Sequence, residues 1–150
     1  MLEKEFVTYE IAKELKELGF SKKCLGTYDY KQFIKMDYQS GEDYDINYAE
    51  DCDDIYDYLC PLYQQVIDWL IKEHNLFIDI FKWPVKYYIN DELQSPRFLF
   101  DIDTYNDYSD DWIYQSINDD LKYKTYQEAR EAAIIKCIEI IKNENNEQGK

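Results

Sequence analysis

The stretch PLYQQVIDWLIKEHNL, residues 61–76, decides the fold because it predicts a helix with an unusually broad apolar face. Apolar side chains recur in two adjacent rows with a four-residue spacing, Leu62, Val66 and Leu70 in one and Tyr63, Ile67 and Ile71 in the other. Pro61 suits the first helical position, where its missing N–H would have no intrahelical partner. Asn75 suits a left-handed stop followed by an apolar residue. We therefore expect this helix to be the spine of the core.

A helix is also predicted near each end of the chain. Thr8 is placed to cap the first helix, whose inner face would consist of Ile11, Ala12, Leu15 and Leu18 before Gly19 ends it. Thr125 and Glu128 have the spacing of a capping box, in which each side chain accepts from a free backbone N–H. The helix that follows carries apolar residues until about Asn143.

The remaining segments predict short antiparallel strands. A hairpin is predicted from residues 24–28 and 32–37, which flank Asp29. A meander of three strands is predicted from residues 77–81, 85–89 and 98–105, and a brief strand from residues 121–124. Residues 91–96 are predicted as a turn. Residues 39–57 and 106–120 are predicted as acidic loops, the first with room for a short helical turn near residues 54–59. The fold class is therefore α+β, a two-layer arrangement of a short antiparallel sheet, hairpin plus meander, and about three helices. Residues 1–143 would form a single domain and residues 144–150 a polar tail.

The negative charge of the chain is confined to two stretches. The formal net charge is −15, with 32 Asp and Glu against 17 Lys and Arg. Residues 36–71 contain ten acids and residues 98–121 contain seven, and neither stretch has a Lys or Arg. Fifteen acids therefore remain to balance the 17 bases elsewhere. Such a field repels nucleic acid and anionic lipid, and it attracts basic protein surfaces or cations.

Several function classes are disfavoured by composition. The four cysteines are widely spaced and include no CxxC pair, which argues against a disulfide scaffold and a zinc site. The single histidine, His74, fits a helix end better than a general base, and the four scattered glycines build no phosphate-binding loop. No signal peptide or membrane-spanning segment is predicted. We expect a cytoplasmic protein without a cofactor.

A calcium loop is suggested weakly by five residues of the first acidic stretch, Asp43, Asp45, Asn47, Asp51 and Asp54. The required glycine at the sixth position is replaced by Tyr48, and the eighth position is Glu50 instead of an apolar residue. An ordered EF-hand is therefore not expected. Loose divalent cation binding and a simple solvated charge run both stay open.

A metal-dependent phosphodiesterase is the alternative from another functional class. Asp101 and Asp103 fall on one face of a predicted strand and, with Asp107 or Glu92, could hold Mg²⁺. The simpler interpretation is an outward-facing acidic stripe, which strand alternation produces by itself. A nuclease would also need a basic groove for its substrate, and both acidic stretches lack any base.

The favoured interpretation is a non-enzymatic protein that binds a basic protein surface. Carboxylates at intervals can imitate a nucleic-acid backbone, while aromatic side chains supply anchors at low entropic cost. The residues predicted to contact the partner are the acids and aromatics of the two acidic stretches: Asp51, Asp53, Asp54, Tyr56, Asp57, Asp107, Asp110, Asp111 and Trp112. Solubility alone is the competing explanation for the charge.

Four segments carry a resemblance to a known group. The chain resembles small uncharacterised proteins of Bacteroidetes bacteria, and of their phages and mobile elements, in four segments that occur in the same order. These segments are EFVTYEIAKELKELGF, SKKCLGTYDY, CPLYQQVIDWLIKEHNLF and TYQEAREAAIIKCIEII. The LYQQ…W helix and the C-terminal YxEA helix are the most distinctive parts. The resemblance implies an accessory protein of phage or prophage origin, and it implies no catalytic residue or cofactor.

Overall fold

The computed structural model describes residues 2–28, 34–35, 58–83, 88–89, 92–93, 97–104, 112–119 and 122–149. The chain divides into two compact units, Met1–Trp69 and Leu70–Lys150. The fold class is α+β, as predicted, with three helices and antiparallel strand pairing in the described part of the chain.

The first unit combines helices with a three-stranded sheet. A 3-10 helix, Leu2–Glu5, precedes helix α1, Tyr9–Glu17. Strands β1 (Gly26–Tyr28), β2 (Ile34–Lys35) and β3 (Tyr58–Cys60) follow. Their order in the sheet is β2-β1-β3, and both pairs are antiparallel. The predicted hairpin is therefore confirmed by the β1–β2 pair.

Helix α1 begins and ends at the predicted residues. The Thr8 hydroxyl accepts a hydrogen bond from the N–H of Ile11 at 3.4 Å, which satisfies one of the free donors of the first turn. Gly19 has a φ of +83°, the left-handed conformation that favours glycine just after a helix. The buried face consists of Ile11, Ala12 and Leu15.

A tyrosine joins β1 to the segment before α1 in the core of the first unit. The Tyr28 hydroxyl donates to the Val7 carbonyl oxygen at 2.6 Å, and both side chains are buried. Tyr9 packs edge-on against the ring of Tyr28 at a centroid distance of 5.7 Å, and against Tyr58 at 5.2 Å. Because edge-on packing suits the ring quadrupoles, these contacts fix how α1 lies on β1 and β3.

Helix α2, Tyr63–His74, is the predicted central helix, but it starts later than expected. Pro61 lies before the helix, where its carbonyl oxygen accepts from the N–H of Val7 at 3.0 Å. The N–H of Leu62 donates to the Gln65 side chain at 2.9 Å, which is the backbone contact of a capping box. The prediction of Pro61 as the first helical residue is therefore wrong. Asn75 ends the helix with a φ of 55°, as predicted.

The second unit contains the longer strands. They are β4 (Leu76–Lys82), β5 (Tyr88–Ile89), β6 (Glu92–Leu93), β7 (Phe98–Thr104) and β8 (Tyr114–Gln115). The 3-10 helix Ser116–Asp119 and helix α3, Tyr126–Gln148, complete it. The main sheet has the order β4-β7-β8, and β5 pairs with β6. All these pairs are antiparallel.

Helix α3 begins with the predicted capping box. The N–H of Glu128 donates to the Thr125 hydroxyl at 3.1 Å, and the Glu128 carboxylate accepts from the N–H of Thr125. Its buried residues are small or aliphatic: Ala129, Ala133, Ile134, Cys137, Ile138 and Ile141. The helix continues to Gln148, so the predicted end near Asn143 is wrong. The described side chains of residues 143–147 are polar and exposed, so these last turns have no buried face.

Three further local predictions differ from the structure. Residues 58–60 form strand β3 where a helical turn was expected, because β1 offers them a partner for cross-strand pairing. The predicted turn at residues 91–96 contains strand β6. The predicted loop at residues 106–120 contains strand β8 and a 3-10 helix. Propensity alone did not find the three short strands, since cross-strand pairing stabilises them.

Candidate functional site

Most of the predicted contact residues lie outside the described residues. They are Asp51, Asp53, Asp54, Tyr56, Asp57, Asp107, Asp110 and Asp111. The five candidate cation ligands, Asp43, Asp45, Asn47, Asp51 and Asp54, also lie outside them. Trp112 is described, and its side chain is 47% exposed, which is high for an indole. Of the predicted contact surface, Trp112 is thus placed where a partner can reach it.

The main sheet of the second unit has two faces of different character. Directly paired residues in antiparallel strands lie on the same face, and residues alternate along each strand. One face, which we call the helix face, carries Ile78 and Ile80 of β4, Phe100 and Ile102 of β7 and Tyr114 of β8. The other, which we call the acidic face, carries Phe77, Asp79 and Phe81 of β4, Leu99, Asp101 and Asp103 of β7 and Gln115 of β8.

Aromatic and cationic contacts place α3 on the helix face. The Lys136 ammonium lies 4.8 Å from the centroid of the Tyr114 ring, and Tyr114 stacks on Phe100 at 5.5 Å. Nearer the start of α3, Tyr126 packs edge-on against Phe98 at 6.2 Å. The N–H of Phe100 donates to the buried Ser116 hydroxyl at 2.9 Å, which ties the 3-10 helix to β7. These contacts hold β7 against α3, β8 and the 3-10 helix.

Three carboxylates share the acidic face. Asp79 and Asp101 are direct cross-strand partners, and Asp103 lies two residues further along β7. The prediction that Asp101 and Asp103 lie on one face of the same strand is thus confirmed. Sequence reasoning missed Asp79. The alternation of Phe77, Asp79 and Phe81 with two isoleucines could have assigned Asp79 to a polar face, but the register that places it opposite Asp101 was not predictable.

Asp101 is buried although it is charged in its ordinary state. Its side chain is 7% exposed, and its Oδ1 atom has no hydrogen-bond partner within the described part of the chain. Burial raises the pKa of Asp101, a hydrogen bond with Gln115 opposes that shift, and the nearby charge of Asp79 adds to it. The interpretation of an outward-facing acidic stripe is therefore wrong for Asp101.

Apolar side chains adjoin these carboxylates. Phe77, on the same face as Asp79, is 37% exposed. Ile113 is 41% exposed and immediately precedes β8, and its N–H donates to the Ile102 carbonyl oxygen at 2.9 Å. Exposed apolar side chains next to acids form a surface that differs from a purely solvated charge run.

The phosphodiesterase alternative needs a set of metal ligands. Among the residues that the structure describes, no group of three His, Cys, Asp or Glu side chains could hold a metal ion. Asp107 and the Glu92 side chain, the other ligands considered, lie outside the described residues. Asp103 accepts a hydrogen bond from the N–H of Thr104 at 2.7 Å, which occupies one of its oxygens. The alternative stays a prediction that no described geometry favours.

The described thiols and the histidine have ordinary structural positions. Cys24, Cys60 and Cys137 are buried as reduced thiols, as expected of small core residues. Burial raises the pKa of Cys60 and of Cys137 to about 12, so that both thiols stay protonated at neutral pH. Burial also lowers the pKa of His74, which weakens the predicted role of a cation at the end of α2.

Comparisons with protein-family models, curated proteins and solved structures found no match to this chain. The helices within the described ranges include none with the length and apolar character needed to cross a membrane.

Proposed function

We propose that the protein is a cytoplasmic, non-enzymatic binding protein whose partner presents a basic protein surface. The observation that carries this proposal is the acidic face, where Asp79 and Asp103 share one face of the sheet with the exposed side chain of Phe77. A protein interface usually has an apolar core and a polar rim, with a few aromatic anchors. The net charge of −15 supplies the long-range attraction for a basic partner.

A finer proposal concerns the kind of partner. Carboxylates projecting from a rigid sheet can occupy the cleft of a nucleic-acid-binding protein, where phosphates would otherwise bind. An accessory protein of phage or mobile-element origin would bind a host factor in this way. That origin is supported by the resemblance of four sequence segments alone. The protein itself should bind neither nucleic acid nor membrane, because both repel its charge.

Affinity capture from a host lysate at two salt concentrations tests the proposal. Exposed charges interact over only about 10 Å at 0.1 M salt and about 3 Å at 1 M, so a partner held by carboxylates should be released at 1 M salt. The captured protein should also be displaced by double-stranded DNA if it is a nucleic-acid-binding protein. A partner retained equally at both salt concentrations would contradict the proposal.

The exposed indole provides a matched test of the apolar contribution. Trp112→Ala should weaken binding of the captured partner about tenfold or more, as expected for an aromatic anchor. Tyr126→Ala is the control, since Tyr126 is 43% exposed on α3 and belongs to neither the acidic face nor the acidic stretches. Equal affinities of the two variants would show that Trp112 is not part of the interface.

A further inference from the structure

Strand β4 lies at the edge of the main sheet. The order β4-β7-β8 gives β4 one neighbour, β7, among the strands of the described residues. β4 has seven residues, no proline and a continuous register against β7, whereas β8 at the opposite edge has two residues. Natural proteins usually shorten edge strands, or interrupt them with proline or bulges, because an open edge attracts another strand. The length and regularity of β4 therefore suit it to pairing with a further strand.

The backbone groups on the outer edge, the side of β4 that faces away from β7, belong to alternate residues. The N–H of Trp83 donates to the Arg97 carbonyl oxygen at 2.7 Å, in the register that continues the β4–β7 ladder. The backbone N–H and C=O groups of successive strand residues point to opposite sides of the strand. Since Trp83 points towards β7, the outer edge presents the N–H and C=O groups of Ile78, Ile80 and Lys82.

The side chains beside the outer edge differ between the two faces of the sheet. Ile78 and Ile80, on the helix face, are half-buried, so an added strand with apolar residues on this face would extend the apolar layer. Asp79, on the acidic face, is exposed. A residue opposite Asp79 in an added antiparallel strand would form a non-hydrogen-bonded pair, in which side chains lie closest. Lysine or arginine at that position would be attracted to Asp79, and an acid would be repelled.

We propose that the outer edge of β4 binds an extended segment of the basic partner, in which apolar residues alternate with Lys or Arg. The apolar residues exchange backbone hydrogen bonds with Ile78 and Ile80, and the basic residues lie beside Asp79. Strand addition of this kind takes affinity from the main chain and specificity from alternate side chains. This inference rests on the proposed function and adds the mode of recognition. A second copy of this chain is a poorer occupant, because two chains of net charge −15 repel each other.

A fluorescein-labelled peptide of sequence VKVKVKV with blocked ends tests the outer edge by fluorescence polarisation at 0.15 M NaCl. When a lysine lies opposite Asp79, the valine N–H groups point towards β4 and the lysine N–H groups point away. N-methylation of the two inner valines should weaken binding at least about tenfold, because two backbone hydrogen bonds are lost. N-methylation of two lysines is the matched control and should weaken binding less than about threefold, because those N–H groups have no partner on β4.

Variants of the protein test the same geometry. Ile80→Pro removes an N–H of the outer edge and no hydrogen bond to β7, and it should weaken peptide binding at least about tenfold. Asp79→Asn should weaken it about threefold, because an opposite-charge cross-strand pair is lost. Glu147→Gln makes the same charge change at the exposed end of α3 and should alter affinity less than about 1.5-fold. Circular dichroism checks each fold, and the methylated peptides decide the test if Ile80→Pro fails to fold.

The outcomes separate this inference from the proposed function. Equal weakening by the two methylation patterns, or a wild-type dissociation constant above about 1 mM, would overturn strand addition. Salt-sensitive capture of a partner from the lysate would then leave the proposed function standing. Equal binding of a peptide with glutamate in place of each lysine would overturn the basic segment and also contradict the proposed function. A dimer in sedimentation that Ile80→Pro converts to a monomer would place a second copy at the outer edge and overturn the inference.

Discussion

At the scale of single residues, Asp101 is the least expected feature of the second unit. A carboxylate in the middle strand of a sheet is normally avoided, because burial removes its hydration. Here the direct neighbour on β4 is a second acid, Asp79, and the neighbour on β8, Gln115, supplies one hydrogen bond. The position therefore reduces stability in the free protein. Residues that reduce stability in this way are often kept for binding.

Removing the charge at Asp101 should stabilise the protein at neutral pH. The folded state raises the pKa of this carboxyl, so it binds the proton more tightly than the unfolded chain and loses stability as the pH rises through that pKa. Asp101→Asn should raise the melting temperature at pH 7 by about 2–4 °C, equivalent to roughly 1 kcal/mol. The gain should vanish below about pH 4, where the unfolded carboxyl is also protonated. Thermal unfolding across this pH range measures it, and a lower melting temperature at pH 7 would contradict it.

The Tyr28 hydroxyl is a second group whose removal has a defined effect. Tyr28→Phe leaves the buried Val7 carbonyl oxygen without the 2.6 Å hydrogen bond it accepts. The variant should lose about 1–2 kcal/mol of unfolding free energy, measured by urea denaturation. Tyr126→Phe is the control, because its exposed ring should make the same change nearly neutral. Equal stabilities of the two variants would show that water replaces the hydroxyl.

At the scale of elements, the helix ends follow from local chemistry. Gly19 has a φ of +83°, and apart from its chain neighbours no heavy atom lies within 4 Å of the position that a Cβ would take. A methyl group there would be strained by the backbone and not by a clash, so Gly19→Ala should destabilise the protein by about 1 kcal/mol. Gly149→Ala, after α3, should change stability by less than about 0.5 kcal/mol, since its φ is −83° and its contacts are ordinary. Chemical denaturation measures the unfolding free energy of both variants. Equal losses for Gly19→Ala and Gly149→Ala would contradict this prediction.

The difference between local signals and tertiary pairing explains which elements could be predicted from the sequence. Thr8, Asn75 and the Thr125–Glu128 pair act within four residues, and each marks a helix end correctly. Strands β3, β6 and β8 are two or three residues long and exist because another segment pairs with them. No local pattern of that length carries such information, so these strands are not predictable from propensity.

The candidate site was predictable in part for a related reason. Period-two alternation alone placed Asp101 and Asp103 on one strand face. The burial of Asp101 and its pairing with Asp79 depend on the order β4-β7-β8, which makes β7 the middle strand. The register between β4 and β7, which are far apart along the chain, is set by tertiary packing, and the sequence held no turn that would fix it.

At the scale of the whole chain, charge is the property with the widest consequences. Two stretches without Lys or Arg hold 17 of the 32 acids, and the sequence isoelectric point is about 4.3. Repulsion among these acids destabilises the compact state, and a cationic partner would relieve it. A protein that binds a basic surface should consequently be most stable when bound, and least stable alone at low ionic strength.

Salt should therefore stabilise the free protein at neutral pH. Raising NaCl from about 0.02 M to 0.2 M shortens the screening length from roughly 20 Å to 7 Å and should raise the melting temperature by several degrees. The same addition at pH 4.3 should have little effect, because the net charge there is close to zero and repulsion no longer dominates. A melting temperature that falls with salt at pH 7 would mean that attractive ion pairs outweigh the repulsion. The carboxylates would then be paired within the folded chain, and the reason to expect a basic partner would be lost.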